Sequence, residues 1–182
     1  RDDDPRNLVR TTGTDSMNID VEELLTSIGD ELATHPAMTT DAAIIGVRTG
    51  GVWVAQRLHE RFGLEHPLGE LNIAFYRDDF SRIGLHPTVG PSNLPFDVDD
   101  RPLILVDDIL YTGRTIRAAM NEIFDYGRPA SITLVVLVER DGRELPIRAD
   151  IAGTRLGLAP SEHVKLLGPD QLRLELWQAK HE

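Results

Sequence analysis

The stretch that decides the fold covers residues 103–115 and reads Leu103-Ile104-Leu105-Val106-Asp107-Asp108-Ile109-Leu110-Tyr111-Thr112-Gly113-Arg114-Thr115. Its apolar start predicts a buried strand, the two carboxylates predict a polar loop, and the residues after Gly113 predict an amphipathic helix. A helix that begins after such a loop can bind phosphate, because its free backbone N–H groups and the positive end of its dipole both point at an anion. The stretch therefore predicts a phosphate site at the carboxyl end of a strand.

The acidic pair Asp107 and Asp108 beside this predicted phosphate site has two interpretations. Carboxylates accept hydrogen bonds from the hydroxyls of a ribose, and they also hold a cation that screens phosphate charges. A strand followed by two aspartates and a Thr-Gly turn is equally consistent with a solvated loop and an ordinary helix cap. From the residues of this turn alone, both interpretations stay open.

A second anion loop is predicted at Arg48-Thr49-Gly50-Gly51, between an apolar strand and a helix that starts at Val52. Consecutive glycines can expose backbone N–H groups in a concave turn, and Arg48 adds positive charge. Taken singly, two glycines before a helix are often only a connection. Two such loops at neighbouring strand ends favour a ligand that carries a monophosphate and a diphosphate on one sugar.

Strands and helices alternate along the chain, which predicts an α/β domain with a mainly parallel central sheet flanked by helices. Strands are expected over residues 42–47, 71–76, 103–106 and 132–138, and helices over 21–32, with Asp20 as N-cap, 52–62, and 114 to near 127. Alternating apolar residues near the end, at 164–167 and 172–176, predict a short antiparallel pair.

A single domain is expected over residues 17–182, preceded by a flexible extension over 1–16, because the first residues show no periodicity. Residues 77–101 form a long segment without a clear period, and a loop of that length is usually functional or mobile. Arg77 and Arg82 could approach phosphates. Asp78 and Asp79 could face a metal or could only keep the loop exposed to water. A lid at this position would exclude water from a transfer reaction.

Composition excludes several classes of protein. The 182 residues are 41% hydrophobic, which is typical of a globular domain, and they contain no run long enough to cross a membrane. The absence of cysteine excludes disulfides and thiolate catalysis, and with the lack of a visible secretion signal it predicts a cytoplasmic protein. The net charge of −11 disfavours non-specific binding to nucleic acid. The six histidines lack metal-ligand spacing.

Three segments resemble one family, the PyrR family of bifunctional pyrimidine-operon attenuators with uracil phosphoribosyltransferase activity. They are Tyr76-Arg77-Asp78-Asp79, the run from Val106 to Thr115, and Arg143-Glu144-Leu145-Pro146-Ile147-Arg148-Ala149-Asp150. The middle segment closely resembles the loop that binds 5-phosphoribosyl-1-pyrophosphate (PRPP) in type I phosphoribosyltransferases. From the residues alone, the last segment is equally consistent with a surface turn whose charged side chains form ion pairs. The resemblance implies the type I phosphoribosyltransferase fold with a small hood.

The resemblance also implies a reaction, in which uracil and PRPP give UMP and pyrophosphate with Mg²⁺ bound through PRPP. The implied catalytic residues are Asp107, Asp108 and Arg77, of which the two aspartates contact the ribose hydroxyls directly or through the metal. The residues that the resemblance implies for PRPP binding are Asp107, Asp108, Leu110, Tyr111, Thr112, Gly113, Arg114 and Thr115. Those implied for pyrophosphate binding are Arg48, Thr49, Gly50 and Gly51. A lid would contain Arg77, Asp78, Asp79 and Arg82, and the hood over the base would contain Val138, Glu139, Arg140 and Arg143.

Relatives imply further partners, namely a second copy of the chain in a homodimer or homotetramer and a pyrimidine-operon (pyr) leader RNA. Two positions that commonly carry hydrogen-bond donors in the family differ here, since Gly142 replaces a common histidine and Thr154 a common lysine, and the pyrophosphate loop reads Arg-Thr-Gly-Gly where Lys-Thr-Arg-Gly is common. Together with the acidic balance, the first two changes argue against RNA binding. The sequence leaves two alternatives to the uracil enzyme: a sensor of UMP or PRPP that regulates RNA with little turnover, and a phosphoribosyltransferase for another base.

Overall fold

A five-stranded parallel sheet forms the centre of the computed structural model, which describes residues 8–10, 19–73 and 91–179. The strand order is β3-β2-β4-β5-β6. The strands of this sheet are β2 (Ala43–Val47), β3 (Gly69–Leu71), β4 (Pro102–Leu110), β5 (Ser131–Arg140) and β6 (Ile151–Leu156). The central residues of its three inner strands are continuously buried, as expected of strands that are covered on both faces.

Within the described ranges, three helices flank the central sheet: α1 (Val21–Ala33), α2 (Gly50–Phe62) and α3 (Arg114–Tyr126). The predicted N-cap of α1 is confirmed, because Oδ1 of Asp20 accepts a hydrogen bond of 2.9 Å from the backbone N–H of Glu22. The chain leaves α2 through Gly63 in the left-handed conformation, with φ of 53°. The three predicted helices are therefore confirmed, with α2 beginning two residues before the expected Val52.

Two apolar cores lie on opposite faces of the sheet, because alternate residues of each strand point to opposite sides. Ile104 and Val106 of β4 pack in the core that contains α1 and α2. Leu103 and Leu105 pack in the core that contains Ile123 and the rest of the buried face of α3. Burying a side chain of this size contributes about 1.5–3 kcal/mol. The two cores together hold the carboxyl ends of β2 and β4 in a constant position.

A separate three-stranded antiparallel sheet has the order β1-β8-β7. It consists of β1 (Leu8–Arg10), β7 (Glu162–Leu167) and β8 (Arg173–Ala179). The predicted antiparallel pair near the end of the chain is confirmed, with Val164 opposite Leu176. The backbone of β1 pairs with β8 inside the segment for which the sequence indicated no element. The boundary between an extension and the domain stays a prediction.

The structure differs from the sequence analysis at three strands of the central sheet. β4 continues through both aspartates to Leu110, because its backbone pairs with β5 as far as Glu139. β3 begins two residues before the predicted strand over 71–76, because it pairs with β2 from Gly69, and residues 74–76 of that prediction lie outside the described residues. β6 was not predicted, since this edge strand contains Gly153 and alternates weakly. Among the described residues, no helix is both long enough and apolar enough to span a membrane.

Candidate active site

The two aspartates lie side by side near the carboxyl end of β4, where the sheet positions them. Asp107 pairs with Val136 of β5, and its side chain is buried, with 2% of its surface exposed. Its Oδ1 accepts a 2.9 Å hydrogen bond from the backbone N–H of Asp108, whose side chain is half-buried. The sequence placed both residues in a loop after the strand, and that placement is corrected. Strand pairing holds these carboxylates more rigidly than a loop would.

The loop from Arg48 to Gly51 lies directly against the aspartates. A methyl group on Gly51 would be 2.7 Å from the carbonyl oxygen of Val106 and 2.9 Å from the Cα atom of Asp107. Only glycine allows the backbone to approach this closely. Both glycines lie in the first turn of α2, so the predicted loop is in part a helix N-terminus. The predicted pyrophosphate loop and the acidic pair are therefore brought together.

Arg48, which was predicted to bind pyrophosphate, is held by a residue that the sequence analysis did not select. Its Nη2 forms an ion pair with Oε2 of Glu70 in β3, and the Arg48 side chain remains 41% exposed. Glu70 is held in turn by paired backbone hydrogen bonds of 2.8 Å with Asn93. The Arg48–Thr49 peptide bond is cis. Only the pairing of β3 with β2 brings Glu70 to this loop, and no local pattern indicates that pairing.

The predicted phosphate loop turns at residues 111–113 and leads into α3. Gly113 is the N-cap of α3 in the left-handed conformation, with φ of 93°, where glycine is favoured. The backbone N–H of Arg114 donates to Oγ1 of Thr112 over 3.2 Å. The start of α3 therefore presents backbone donors and a hydroxyl group at one place, which is the arrangement predicted for a phosphate.

The segment from Glu144 to Ile147 supports this phosphate loop from behind. The backbone N–H groups of Glu144 and Leu145 donate to the carbonyl oxygen of Thr112 over 3.1 Å and 3.0 Å. A methyl group on Gly113 would lie 3.3 Å from the Cβ atoms of both Leu145 and Ile147. Nε and Nη2 of Arg114 also contact Oε2 of Glu144, at 2.9 Å and 2.6 Å. The segment that the sequence left open as a surface turn has a structural role in the candidate site.

The four predicted hood residues occupy different environments. Val138 is fully buried in the core next to α1 and α2. The carboxylate of Glu139 accepts a 2.9 Å hydrogen bond from Arg155. Arg140 is buried with 5% of its surface exposed, whereas Arg143 is exposed. Their roles toward a base stay predictions.

The predicted lid residues Arg77, Asp78, Asp79 and Arg82 lie outside the described residues. Within the described ranges, no group of three or more histidine or acidic side chains is placed to hold a metal ion. The acidic pair on β4 offers two carboxylates, which suit a hard cation that takes its remaining oxygen ligands from a substrate and from water. The donor set therefore fits a Mg²⁺ ion that arrives with a polyphosphate.

Comparison with known proteins agrees with this geometry. Residues 14–156 match the family described as the phosphoribosyl transferase domain. Among solved structures, a hypoxanthine-guanine phosphoribosyltransferase of Bacillus anthracis aligns with a TM-score of 0.64 at 14% identity, covering 89% of this chain and 96% of that one. A hypoxanthine phosphoribosyltransferase of Trypanosoma cruzi, in complex with the product IMP, aligns with a TM-score of 0.56 at 21% identity, covering 78% and 80%. At these identities the two structures establish the fold alone.

Sequence relatives are more specific. A protein named Bifunctional protein PyrR from Nitrosococcus oceani is 59% identical over 165 residues, which cover 88% of this chain and 92% of that protein. One with the same name from Pseudomonas fluorescens is 61% identical over 137 residues, covering 75% and 82%. The chain therefore belongs to the PyrR family, built on the phosphoribosyl transferase domain.

Proposed function

We propose that the protein is a uracil phosphoribosyltransferase that converts uracil and PRPP to UMP and pyrophosphate. The observation that carries the proposal is the meeting of two anion loops and an acidic pair at the carboxyl ends of β2 and β4. In the transfer, the bond from the ribose C1 atom to a pyrophosphate oxygen breaks, and pyrophosphate leaves with its electron pair. A bond from C1 to a uracil nitrogen forms, and the proton of that nitrogen passes to solvent or to the released pyrophosphate. The choice of uracil rests on family membership and on the segment from Arg143 to Asp150.

Each part of the candidate site has one task in this reaction. The carboxylates of Asp107 and Asp108 accept hydrogen bonds from the ribose hydroxyls. The backbone N–H groups at the start of α3, with the Thr112 hydroxyl, hold the 5′-phosphate. The first turn of α2 and the exposed Arg48 side chain hold the leaving pyrophosphate. Positioning and charge neutralisation supply most of the rate enhancement, because the reaction needs no covalent intermediate with the protein.

Mg²⁺ is proposed as the cofactor, since a divalent cation bound to PRPP neutralises the charge that develops on the leaving pyrophosphate. Asp107 and Asp108 are the residues that would contact it. The lid role of Arg77, Asp78, Asp79 and Arg82 belongs to the same proposal.

The deciding experiment measures nucleotide formation from PRPP with uracil, orotate, hypoxanthine and adenine side by side, with and without Mg²⁺. UMP formation from uracil alone is expected. Nucleotide formation from another base and not from uracil would show that the other base is the substrate. If no base gives a nucleotide, the enzyme proposal is overturned.

The site assignment is tested by a double variant, Asp107→Asn with Asp108→Asn. We expect loss of turnover with little change in thermal unfolding, since asparagine has the same shape as aspartate but no charge. A matched control is Asp99→Asn with Asp100→Asn, a second adjacent pair of aspartates that lies before β4 and is exposed. Full activity in the first double variant would contradict the site.

A second function, regulation of pyrimidine genes through a leader RNA, is favoured by the word "Bifunctional" in the names of the relatives. The net charge of −11 weighs against it. Titration of a pyr leader RNA with and without UMP, at several salt concentrations, tests this function. UMP-dependent binding with a steep salt slope would establish it, and no binding at low salt would exclude it.

A homodimer or homotetramer and a cytoplasmic location complete the proposal. Family resemblance supports the first, and the cysteine-free sequence supports the second. Sedimentation analysis of the purified protein tests the oligomeric state.

A further inference from the structure

Arg140, at the end of β5, is a buried arginine whose three guanidinium nitrogens each donate to a backbone carbonyl oxygen. Nη1 donates to the carbonyl oxygen of Glu162 over 2.7 Å, and Nη2 donates to that of Ala159 over 3.3 Å. Nε makes a longer contact of 3.4 Å with the carbonyl oxygen of Asp141. These bonds fix the plane of the guanidinium group relative to the turn before β7. A side chain held in this way has little freedom to follow a substrate.

The same guanidinium group lies over the ring of Tyr111, the first residue of the phosphate loop. Its Cζ atom is 4.0 Å from the ring centroid, well within the range of a cation–π interaction. Tyr111 directly follows Leu110, the last residue of β4. Arg140 therefore connects the start of the phosphate loop to β5 and to the second sheet.

Gly142 abuts the edge of the same ring. A methyl group on Gly142 would lie 2.3 Å from Cε2 of Tyr111, and the residue has φ of 111°. Both the backbone conformation and the space taken by the ring therefore require glycine here. The guanidinium group of Arg140 lies over the face of the Tyr111 ring and the backbone of Gly142 lies against its edge, so the position of the ring is determined from two directions.

We propose that Arg140 is a positioning residue, which sets the phosphate loop for the 5′-phosphate of the substrate by holding the ring of Tyr111. This inference rests on the proposed function, because it assigns the loop that starts at Tyr111 to the 5′-phosphate. It differs from the expected hood role, since the base is not what Arg140 acts on. Lysine cannot replace arginine in this position, because an ammonium group lacks the planar fork that both stacks and donates in three directions.

The test measures binding of ribose 5-phosphate and of pyrophosphate separately, by calorimetry on the full chain. Arg140→Lys is expected to weaken ribose 5-phosphate binding about tenfold, an effect between those of an exposed and a fully desolvated cation–π interaction, and to leave pyrophosphate binding unchanged. In turnover, the same variant should raise the KM for PRPP and leave the KM for uracil unchanged. A rise in the KM for uracil alone would mean that Arg140 contacts the base, and would overturn the inference.

A double-variant cycle separates action through Tyr111 from general support of the fold. Tyr111→Leu removes the ring and leaves the bonds from Arg140 to the backbone carbonyls. If Arg140 acts through the ring, the double variant binds ribose 5-phosphate no more weakly than the weaker single variant. Additive losses would overturn the inference. Unchanged binding in Tyr111→Leu would also overturn it, even if the Arg140 variant does not fold.

Arg128→Lys is the matched control, because Arg128 makes a cation–π contact of 5.8 Å with Phe124 at the far end of α3. Neither ligand should bind this variant differently. Uracil turnover by the unaltered protein decides the proposed function separately. Binding of ribose 5-phosphate without uracil turnover would overturn the base assignment and leave this inference standing, whereas an unaltered protein that does not bind ribose 5-phosphate would overturn the inference.

Discussion

Gly50 of α2 and Asp108 of β4 approach so closely that a methyl group on Gly50 would lie 2.3 Å from Oδ2 of Asp108. The predicted pyrophosphate loop is therefore in direct contact with the predicted ribose site, and a substitution in the loop is expected to displace the Asp108 carboxylate. This contact distinguishes the two neighbouring glycines. The group that blocks Gly50 is a carboxylate at the end of a side chain, whereas the atoms that block Gly51 belong to the backbone of β4.

Gly50→Ala and Gly51→Ala are therefore expected to differ. Gly50→Ala should displace the Asp108 carboxylate and lower turnover severalfold, with little effect on the free energy of unfolding. Gly51→Ala should lower that free energy by about 1–3 kcal/mol, since the backbone of a central strand cannot move aside cheaply. Denaturant unfolding and turnover, measured on both variants, check the contrast. Equal effects of the two variants on both quantities would contradict it.

Gly142→Ala is expected to lower the free energy of unfolding by about 1–3 kcal/mol, because the residue has a positive φ and abuts the Tyr111 ring. The loss should become smaller in a Tyr111→Leu background, where only the backbone strain remains. Gly157→Ala is the matched control, since a methyl group there would meet only Oδ2 of Asp141, at 3.4 Å. If Gly142→Ala lowers the free energy of unfolding equally with tyrosine or leucine at position 111, contact with the ring is not the cause of the loss.

Glu144→Gln is expected to have little effect on stability, below about 1 kcal/mol, because the pair between Glu144 and Arg114 is exposed. It should strengthen binding of ribose 5-phosphate, since removal of the carboxylate leaves Arg114 available to the phosphate and removes a repulsive charge. Calorimetry on this variant, with Glu31→Gln on the exposed side of α1 as control, measures the change. Weaker binding would show that Glu144 positions Arg114 and does not compete with the ligand.

The surroundings of Asp41 predict that the stability of the fold depends on pH. This residue lies just before β2, at the end of the strands opposite to the candidate site. A 3.1 Å hydrogen bond from Nε2 of His66, and then the Arg101 guanidinium group, hold the pKa of Asp41 below its ordinary value of 3.8. Because the folded-state pKa is lowered, the ionised carboxylate stabilises the fold above the unfolded-state pKa. This contribution is lost as the pH falls through the folded-state pKa.

Asp41→Asn should therefore unfold more easily than the unaltered protein at neutral pH, and the difference should shrink as the pH falls below 3.8. Denaturant unfolding across this pH range checks the prediction. Asp125→Asn, at an exposed position on α3, controls for the change in net charge. A difference that grows on acidification would contradict the sign.

Local sequence determined much of the architecture and which residues were predicted to form the site. The uniformly apolar run from Leu103 to Val106 can be buried only in a sheet covered on both faces, and the spacing from Val21 to Leu32 can form only one apolar helix face. Asp20 caps its helix through atoms two residues away, which a local pattern specifies fully. The two anion loops were identified for the same reason, since a glycine turn before a helix is a local feature.

Tertiary structure decided what depends on partners distant in the chain. Asp107 and Asp108 belong to β4 because β5 pairs with Asp107 and, beyond Asp108, with Ile109 and Leu110. β3 begins at Gly69 because β2 pairs with it there. The contact between Arg48 and Glu70, and that between Arg140 and Tyr111, join residues more than twenty positions apart. A sequence specifies the donors, acceptors and charges of such residues, but only the packing of the whole chain determines which of them meet, because each contact gains its energy from burial that distant segments provide together.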